Sequence, residues 1–283
     1  MSFLISRIKL LCLEGLAYLI SRCSYATLHR MGNHLGIGLY WLSSRYRKRI
    51  LSNLSLATRL SFDELSLHAM AKKVLQSMAR AFLEFPKLLY EKDLRDIVTC
   101  ENPEVALRLI QQGQGVVFFC AHQANWELFF LDGTSRMPGV AIGKQQKNRE
   151  LYQFVLKVRT RFGGTIISPK QTMSEGVKAI KEGKFLGIVG DQGLPESSFS
   201  SEFLGAKAYS TTAPALICYR TGAPLIVATM TRSQDRYRIT YSDPIYPNLD
   251  APLKAEVQRM TSESLKLLED SILQNPHEWA MGA

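Results

Sequence analysis

The chain has 283 residues, 46% of them hydrophobic and 21% charged, and 35 Lys+Arg stand against 25 Asp+Glu for a formal net charge of +10. This length and apolar content exclude a disordered or low-complexity chain and supply a core that needs no disulfide staples. The basic excess asks for a polyanionic partner, whether nucleic acid, anionic membrane or phosphorylated substrate.

The charge is concentrated. Residues 1–60 carry nine Lys/Arg and one Glu, residues 144–184 carry ten Lys/Arg and three Glu, and the remainder is net −5. Two basic surfaces therefore stand on a mildly acidic body. The five cysteines (12, 23, 100, 120 and 218) are widely spaced with no C-x-x-C pair, a usage that fits a reducing compartment.

Residues 3–20 form an apolar run broken by Arg7, Lys9 and Glu14, and the seven-residue spacing of Arg7, Glu14 and Ser21 puts these three on one helical face. Three charges argue against a spanning helix, and no small-residue cleavage site follows the run. Residues 1–24 are read as a membrane-associating helix that lies in the interface, assisted by the basic run Arg45–Arg49. Residues 25–100 read as a helical region. Ser61 and Glu64 have capping-box spacing, and an apolar stripe from Leu67 to Phe85 predicts one long helix that stops near Pro86. Asn102-Pro103 opens a further helix, with Asn as its cap.

From residue 101 to 283 short apolar runs alternate with helical patterns. The predicted strands are 116–121, 140–142, 165–167, 185–189, 225–230 and 237–241; the predicted helices lie near 148–162, 173–182 and 212–221, with a last one from Asp250 to about Gln274. Thr172 and Glu175 form a second capping-box pattern. The fold class is α/β: a central mostly parallel or mixed sheet flanked by helices, behind the helical N-terminal region.

Chemistry concentrates after the first apolar strand, where His122-Gln-Ala-Asn-Trp-Glu127 follows at a strand end, the usual ligand-binding edge of an open α/β sheet. Two positions five apart on one ideal helix diverge by about 140°. His122 and Glu127 meet only if His122 sits in the loop and Glu127 reaches back. That arrangement gives a His–Glu dyad, with His122 as general base and Glu127 fixing its tautomer. A strand-end His bonded to a backbone carbonyl fits the spacing equally.

The segment Gly115–Leu128 resembles the H-x4-D/E block of the lysophospholipid and glycerolipid acyltransferase superfamily. More closely, nearly the whole chain resembles the late acyltransferases of lipid A biosynthesis, the lauroyl/myristoyl group. The resemblance is carried by the His122–Glu127 block, Lys144–Asn148, Arg161-Phe-Gly163, Asp191-Gln192, Phe203-Leu-Gly205, Thr211-Thr212, Gly222–Ile226 and Pro276-His-Glu-Trp279 in that order. In such families basic and aromatic residues follow this Trp, whereas Ala280-Met-Gly-Ala283 follow it here.

The resemblance implies transfer of a fatty acyl chain from acyl-carrier protein, or coenzyme A, to a hydroxyl of a phosphorylated lipid acceptor at the cytoplasmic face of the inner membrane. No cofactor or metal enters, because the thioester is itself a substrate. Arg161 or backbone N–H groups would meet the developing oxyanion. Lys144, Lys147, Asn148, Arg159 and Arg161 would contact acceptor phosphates, and Asp191 the acceptor. A plain loop Asp in the Gly190–Gly193 turn is the other reading of Asp191.

The competing classes are weaker. No helix-turn-helix, RRM or zinc pattern supports a nucleic-acid binder. The five His residues are scattered without H-E-x-x-H, which counts against a metal hydrolase. A non-catalytic membrane-surface protein, and an acyltransferase acting on a glycerophosphate-type acceptor, are the alternatives carried forward.

Overall fold

A computed structural model describes residues 2–191 and 199–280, with side chains from Arg7 onward. The expected turn beyond Asp191 and the last three residues of the chain lie outside the described residues.

Helix α1 (Ser2–Ser21) is followed by α2 (Tyr25–Leu42), α3 (Ser44–Leu56) and α4 (Glu64–Glu84). α1 packs on the chain through Leu10, Leu13 and the buried Ala17. Glu14, from the polar stripe, turns inward and pairs with Lys157 at 2.7 Å. Ile8, Leu11, Leu16, Tyr18 and Leu19 are left exposed instead. Among the described residues, no helix is long and apolar enough to cross a membrane.

α2 and α4 lie against each other, and Gly36 makes this possible: a Cβ there would stand 2.4 Å from the Gln76 backbone. The cap of α4 is Asp63, which accepts from Ser66 N–H, while Ser61 sits at φ 44° outside the helix. The capping box read from Ser61 is therefore replaced by an Asp cap two residues later. The box read at Thr172 moves likewise, to Ser168 and Gln171, which open a 3₁₀ turn before the helix. Asn102 precedes its helix in the left-handed region and makes no side-chain cap bond.

The core is a seven-stranded sheet of β1 (Val98–Glu101), β2 (Val116–Cys120), β3 (Gly139–Ile142), β4 (Thr165–Ile167), β5 (Phe185–Val189), β8 (Leu225–Ser233) and β9 (Arg236–Tyr241), in the order β1-β9-β8-β2-β5-β3-β4. All neighbours are parallel except β8 and β9, which form an antiparallel hairpin. β6 (Phe199–Phe203) and β7 (Ala206–Ser210) form a separate hairpin, which the apolar pattern did not announce because most of its residues are small or polar. The remaining helices are α5 (Pro103–Gln111), α6 (Glu127–Arg136), α7 (Arg149–Arg159), α8 (Thr172–Lys181), α9 (Ala213–Thr221) and α10 (Leu253–Gln274).

β2 is buried along its whole length. Its odd positions, Val117 and Phe119, join one core with residues of α8, α9 and α10. Its even positions, Val116, Phe118 and Cys120, join a second core with residues of α5, α6 and α7. A strand covered on both faces reads as a continuous apolar run, which is why 116–120 is the plainest strand in the sequence.

From β2 the chain moves outward to β3 and β4, returns to β5 beside β2, and then crosses to β8 on the other side. The carboxyl ends of β2 and β5 thus form a topological switch point, the place where open α/β sheets bind ligands.

Candidate active site

His122 and Asp191 each stand two residues past the end of neighbouring parallel strands, since Cys120 pairs with Val189 across β2 and β5. This register brings the two side chains together. His122 Nδ1 lies 2.7 Å from Asp191 Oδ1, and the His122 backbone N–H donates to Oδ2 at 3.0 Å. The Trp279 indole N–H donates to the same Oδ2 at 2.7 Å. The Asp191 side chain is 1% exposed, against 18% for the imidazole. A carboxylate accepts only, so Nδ1 carries the proton and Nε2 holds the free lone pair.

The loop between β2 and α6 is tightly held. Gln123 N–H donates to Ala121 O at 2.8 Å, and Ala124 adopts φ 51°. The C-terminal segment bridges it on both sides: Ala280 N–H donates to His122 O and Ala124 N–H to Glu278 O, both at 2.8 Å. The Trp126 ring meets the imidazole edge-on, 5.1 Å between centroids.

The His–Glu pairing expected from the sequence is not formed. Glu127 is the first residue of α6, and its carboxylate turns away to receive a two-pronged bond from Arg159, at 2.8 and 2.6 Å. Burial works against the Arg159 charge, but the fork onto Glu127 outweighs it and holds the guanidinium above its ordinary pKa. Two of the Arg159 nitrogens, Nε and Nη2, are therefore engaged by a carboxylate. Arg161 is also engaged: one guanidinium N–H donates to Leu88 O, and the group lies 4.5 Å from the Phe162 ring centroid. Asn148 caps α7 by accepting from Leu151 N–H at 2.8 Å. Lys144 and Lys147 are exposed in the loop after β3, with no ion pair among the described residues. That loop leaves β3 on the same rim as His122, because β3 runs parallel to β5.

Beneath this rim, between the sheet and α6, lies an apolar cavity with about 490 Å³ of empty space including its mouth. Phe118, Cys120, Gly187, Val189, Phe129 and Phe130 are among its walls, and Trp126 links it to the imidazole. Cys120 belongs to this wall as packing. Burial pushes its thiol well above the ordinary range, and the charges of Asp191 and Glu127 push the same way, so it is no thiolate nucleophile.

Sequence reasoning had Trp279 only as part of a motif and had no role for its indole. Asp191, read from the sequence as an acceptor contact or a loop residue, is paired with His122 in the structure. The adjacency of β2 and β5, separated in sequence by two strands and three helices, was not legible.

The imidazole thus stands beside Trp126, which helps to line the apolar cavity. The family model for bacterial lipid A biosynthesis acyltransferases matches residues 5–281, and the chain belongs to that family. Membership makes it an acyltransferase, with a lipid A precursor as acceptor and an acyl donor. Comparison with curated proteins gives no match.

Proposed function

We propose that the protein transfers a fatty acyl chain from an acyl-carrier-protein thioester to a hydroxyl of a phosphorylated lipid A precursor, at the cytoplasmic face of the inner membrane. The observation that carries this reading is the His122–Asp191 couple beside the apolar cavity under α6. His122 Nε2 takes the acceptor hydroxyl proton as that oxygen attacks the thioester carbonyl. The tetrahedral intermediate then expels the carrier thiolate with cleavage of the C–S bond, and the imidazolium returns the proton to sulfur. Asp191 holds the Nε2-basic tautomer and stabilises the imidazolium, the part first assigned to Glu127.

The cavity suits the donor acyl chain, since its walls are almost wholly apolar. Lys144 and Lys147 suit an acceptor phosphate as exposed point charges on the same rim. The outward face of α1 suits the membrane surface, with Ile8, Leu11, Leu16, Tyr18 and Leu19 exposed along it.

The test is purified protein with acyl-carrier-protein thioester and a lipid A precursor, run against acyl-coenzyme A and against lysophosphatidic acid. Transfer to the lipid A precursor is expected to fall by about 10²-fold or more in His122→Ala. Undiminished transfer by that variant sinks the mechanism, and a preference for lysophosphatidic acid sinks the acceptor.

A further inference from the structure

We infer that Asn125 and Glu84 are positioning residues for His122: a wholly buried hydrogen bond from the catalytic loop to helix α4 sets where the imidazole points. The inference rests on the reading of His122 as the base.

Glu84 has no exposed surface and sits near the end of α4, far in sequence from the α/β core. Its carboxylate is nonetheless the centre of a polar network that spans the molecule. Asn125 Nδ2 donates to Oε2 at 2.7 Å, and the Tyr237 hydroxyl donates to the same oxygen. His29 Nε2 meets Oε1 at 2.5 Å. Arg232 stands behind Tyr237, with its Nε 2.9 Å from the phenol oxygen. Burial alone raises the Glu84 pKa, but the bond from His29, the charge of Arg232 and the bond from Tyr237 outweigh it and keep the group below its ordinary value.

A buried carboxylate is held so strictly only where its donors are fixed. Among them, Asn125 belongs to the β2–α6 loop. It is 1% exposed, lies three residues from His122, and its backbone carbonyl accepts from Leu128 N–H in the first turn of α6. Its Oδ1 is buried with no partner among the described residues. The amide is therefore placed by the single bond to Glu84, because a carboxylate requires Nδ2 to be the near atom. The same loop contains Ala124 at φ 51°. A residue with a Cβ stays in that region only when its surroundings over-determine it. The Asn125 anchor on one side and the Glu278 carbonyl on the other do so. If the anchor is lost, the loop is free to relax, and His122 moves off the line between Asp191 and the cavity mouth.

A buried network also serves plain stability, so the experiment must separate the two roles. Asn125→Ala and Glu84→Ala are compared with Val74→Ala, a cavity in the fully buried part of α4 outside the network. Activity is read per folded molecule as acyl transfer with acyl-carrier-protein thioester and lipid A precursor. Asn125→Ala and Glu84→Ala are expected to lower kcat by about 10–100-fold, with KM for both substrates unchanged. Val74→Ala is expected to lower Tm with kcat retained. Combining Asn125→Ala with Glu84→Ala is expected to cost no more than the worse single change. Glu84→Gln keeps an acceptor oxygen for Asn125 and Tyr237 and turns its NH₂ to His29, and is expected to retain most of kcat even if Glu84→Ala folds poorly. Wild-type kcat in Asn125→Ala, multiplicative losses in the double variant, or a loss in Glu84→Gln as deep as that in Asn125→Ala overturns the inference. Wild-type activity in His122→Ala instead overturns the reading of the base on which it rests.

Discussion

Asp191 accepts three hydrogen bonds, and their arrangement decides which nitrogen of His122 is basic. Oδ2 takes the His122 backbone N–H and the Trp279 indole N–H, while Oδ1 faces Nδ1. In Asp191→Asn the amide has one acceptor oxygen. The two fixed N–H donors claim it, which turns the NH₂ toward Nδ1. An NH₂ there requires Nδ1 to be unprotonated and moves the ring proton to Nε2, where it blocks the base. We expect kcat to fall by about 10²–10⁴-fold with little change in KM. Steady-state acyl transfer checks this, and a loss confined to KM would contradict it.

Glu127, in contrast, acts on Arg159. The pair is partly buried, with side-chain exposures of 12% and 21%. Glu127→Gln leaves an arginine with a weakened fork in a confined place, and the expected loss of stability is about 3 kcal/mol, the low end for breaking a buried pair. Replacing both residues with Met is expected to recover much of that loss, because the desolvation cost of the charge goes with it. Thermal unfolding of Glu127→Met, Arg159→Met and the double variant gives the coupling; additive losses would show that the fork contributes nothing.

These two carboxylates show what the sequence carries and what it hides. His122 was legible because the apolar run 116–121 ends directly before it, and the spacing of β2, β3, β4, β5, β8 and β9 as apolar runs was enough for an α/β sheet. The partner was not legible. Glu127 is near in sequence, but as the first residue of α6 it faces α7, while Asp191 is near only through strand order. The basic stretch hid the same distinction: Arg159 and Arg161 look as free as Lys144 and Lys147 until a carboxylate and a carbonyl are placed beside them. Short capping signals failed at Ser61 and Thr172 because Asp63 and Ser168 offer competing caps within a few residues.

Acid sensitivity follows from His277. Burial, then the nearby charges of Lys73, Arg80 and Arg232, holds its pKa below the ordinary value of 6.5. The unfolded chain takes up that proton at a higher pH than the folded one. The contribution is therefore whole above pH 6.5 and is lost as pH falls through the folded value. Glu84, held below its ordinary value of 4.5 against its burial, adds a further loss at lower pH. Glu278 runs the other way, since burial raises it and the folded chain keeps its proton longer. Tm is expected to decline as pH falls from about 7 to 5, and His277→Asn is expected to flatten that limb. A variant curve parallel to the parent would exclude His277 as the cause.

Gly187 gives the cavity part of its room. It faces the cavity from β5, and a Cβ there would meet nothing closer than 3.7 Å, the Cβ of Ala141. A Cβ is thus accommodated, and the γ-methyls of valine extend from a residue that lines the cavity. Each methylene denied burial costs about 0.8 kcal/mol, or about fourfold in binding. Gly187→Val is expected to shift donor preference toward shorter acyl chains by a few methylenes, with Tm held or raised by the better strand former. A series of acyl-carrier-protein thioesters of graded length reads this directly, and an unchanged length optimum would place the donor chain elsewhere.

The outer face of α1 supplies the last test. Leu11 and Leu19 are 64% and 66% exposed and share one side of the helix, while Leu10, Leu13 and Ala17 hold the opposite side to the chain. Leu11→Glu with Leu19→Glu removes apolar surface from the exposed side and leaves the packed side intact. Binding to vesicles that contain anionic lipid is expected to weaken by about 10-fold or more, since each buried leucine is worth roughly 1.5–3 kcal/mol. Tm and turnover on a detergent-dispersed acceptor are expected to remain at parental values, because neither leucine contributes to the packed side. Parental flotation with vesicles by the double variant would mean that this face of α1 does not meet the membrane.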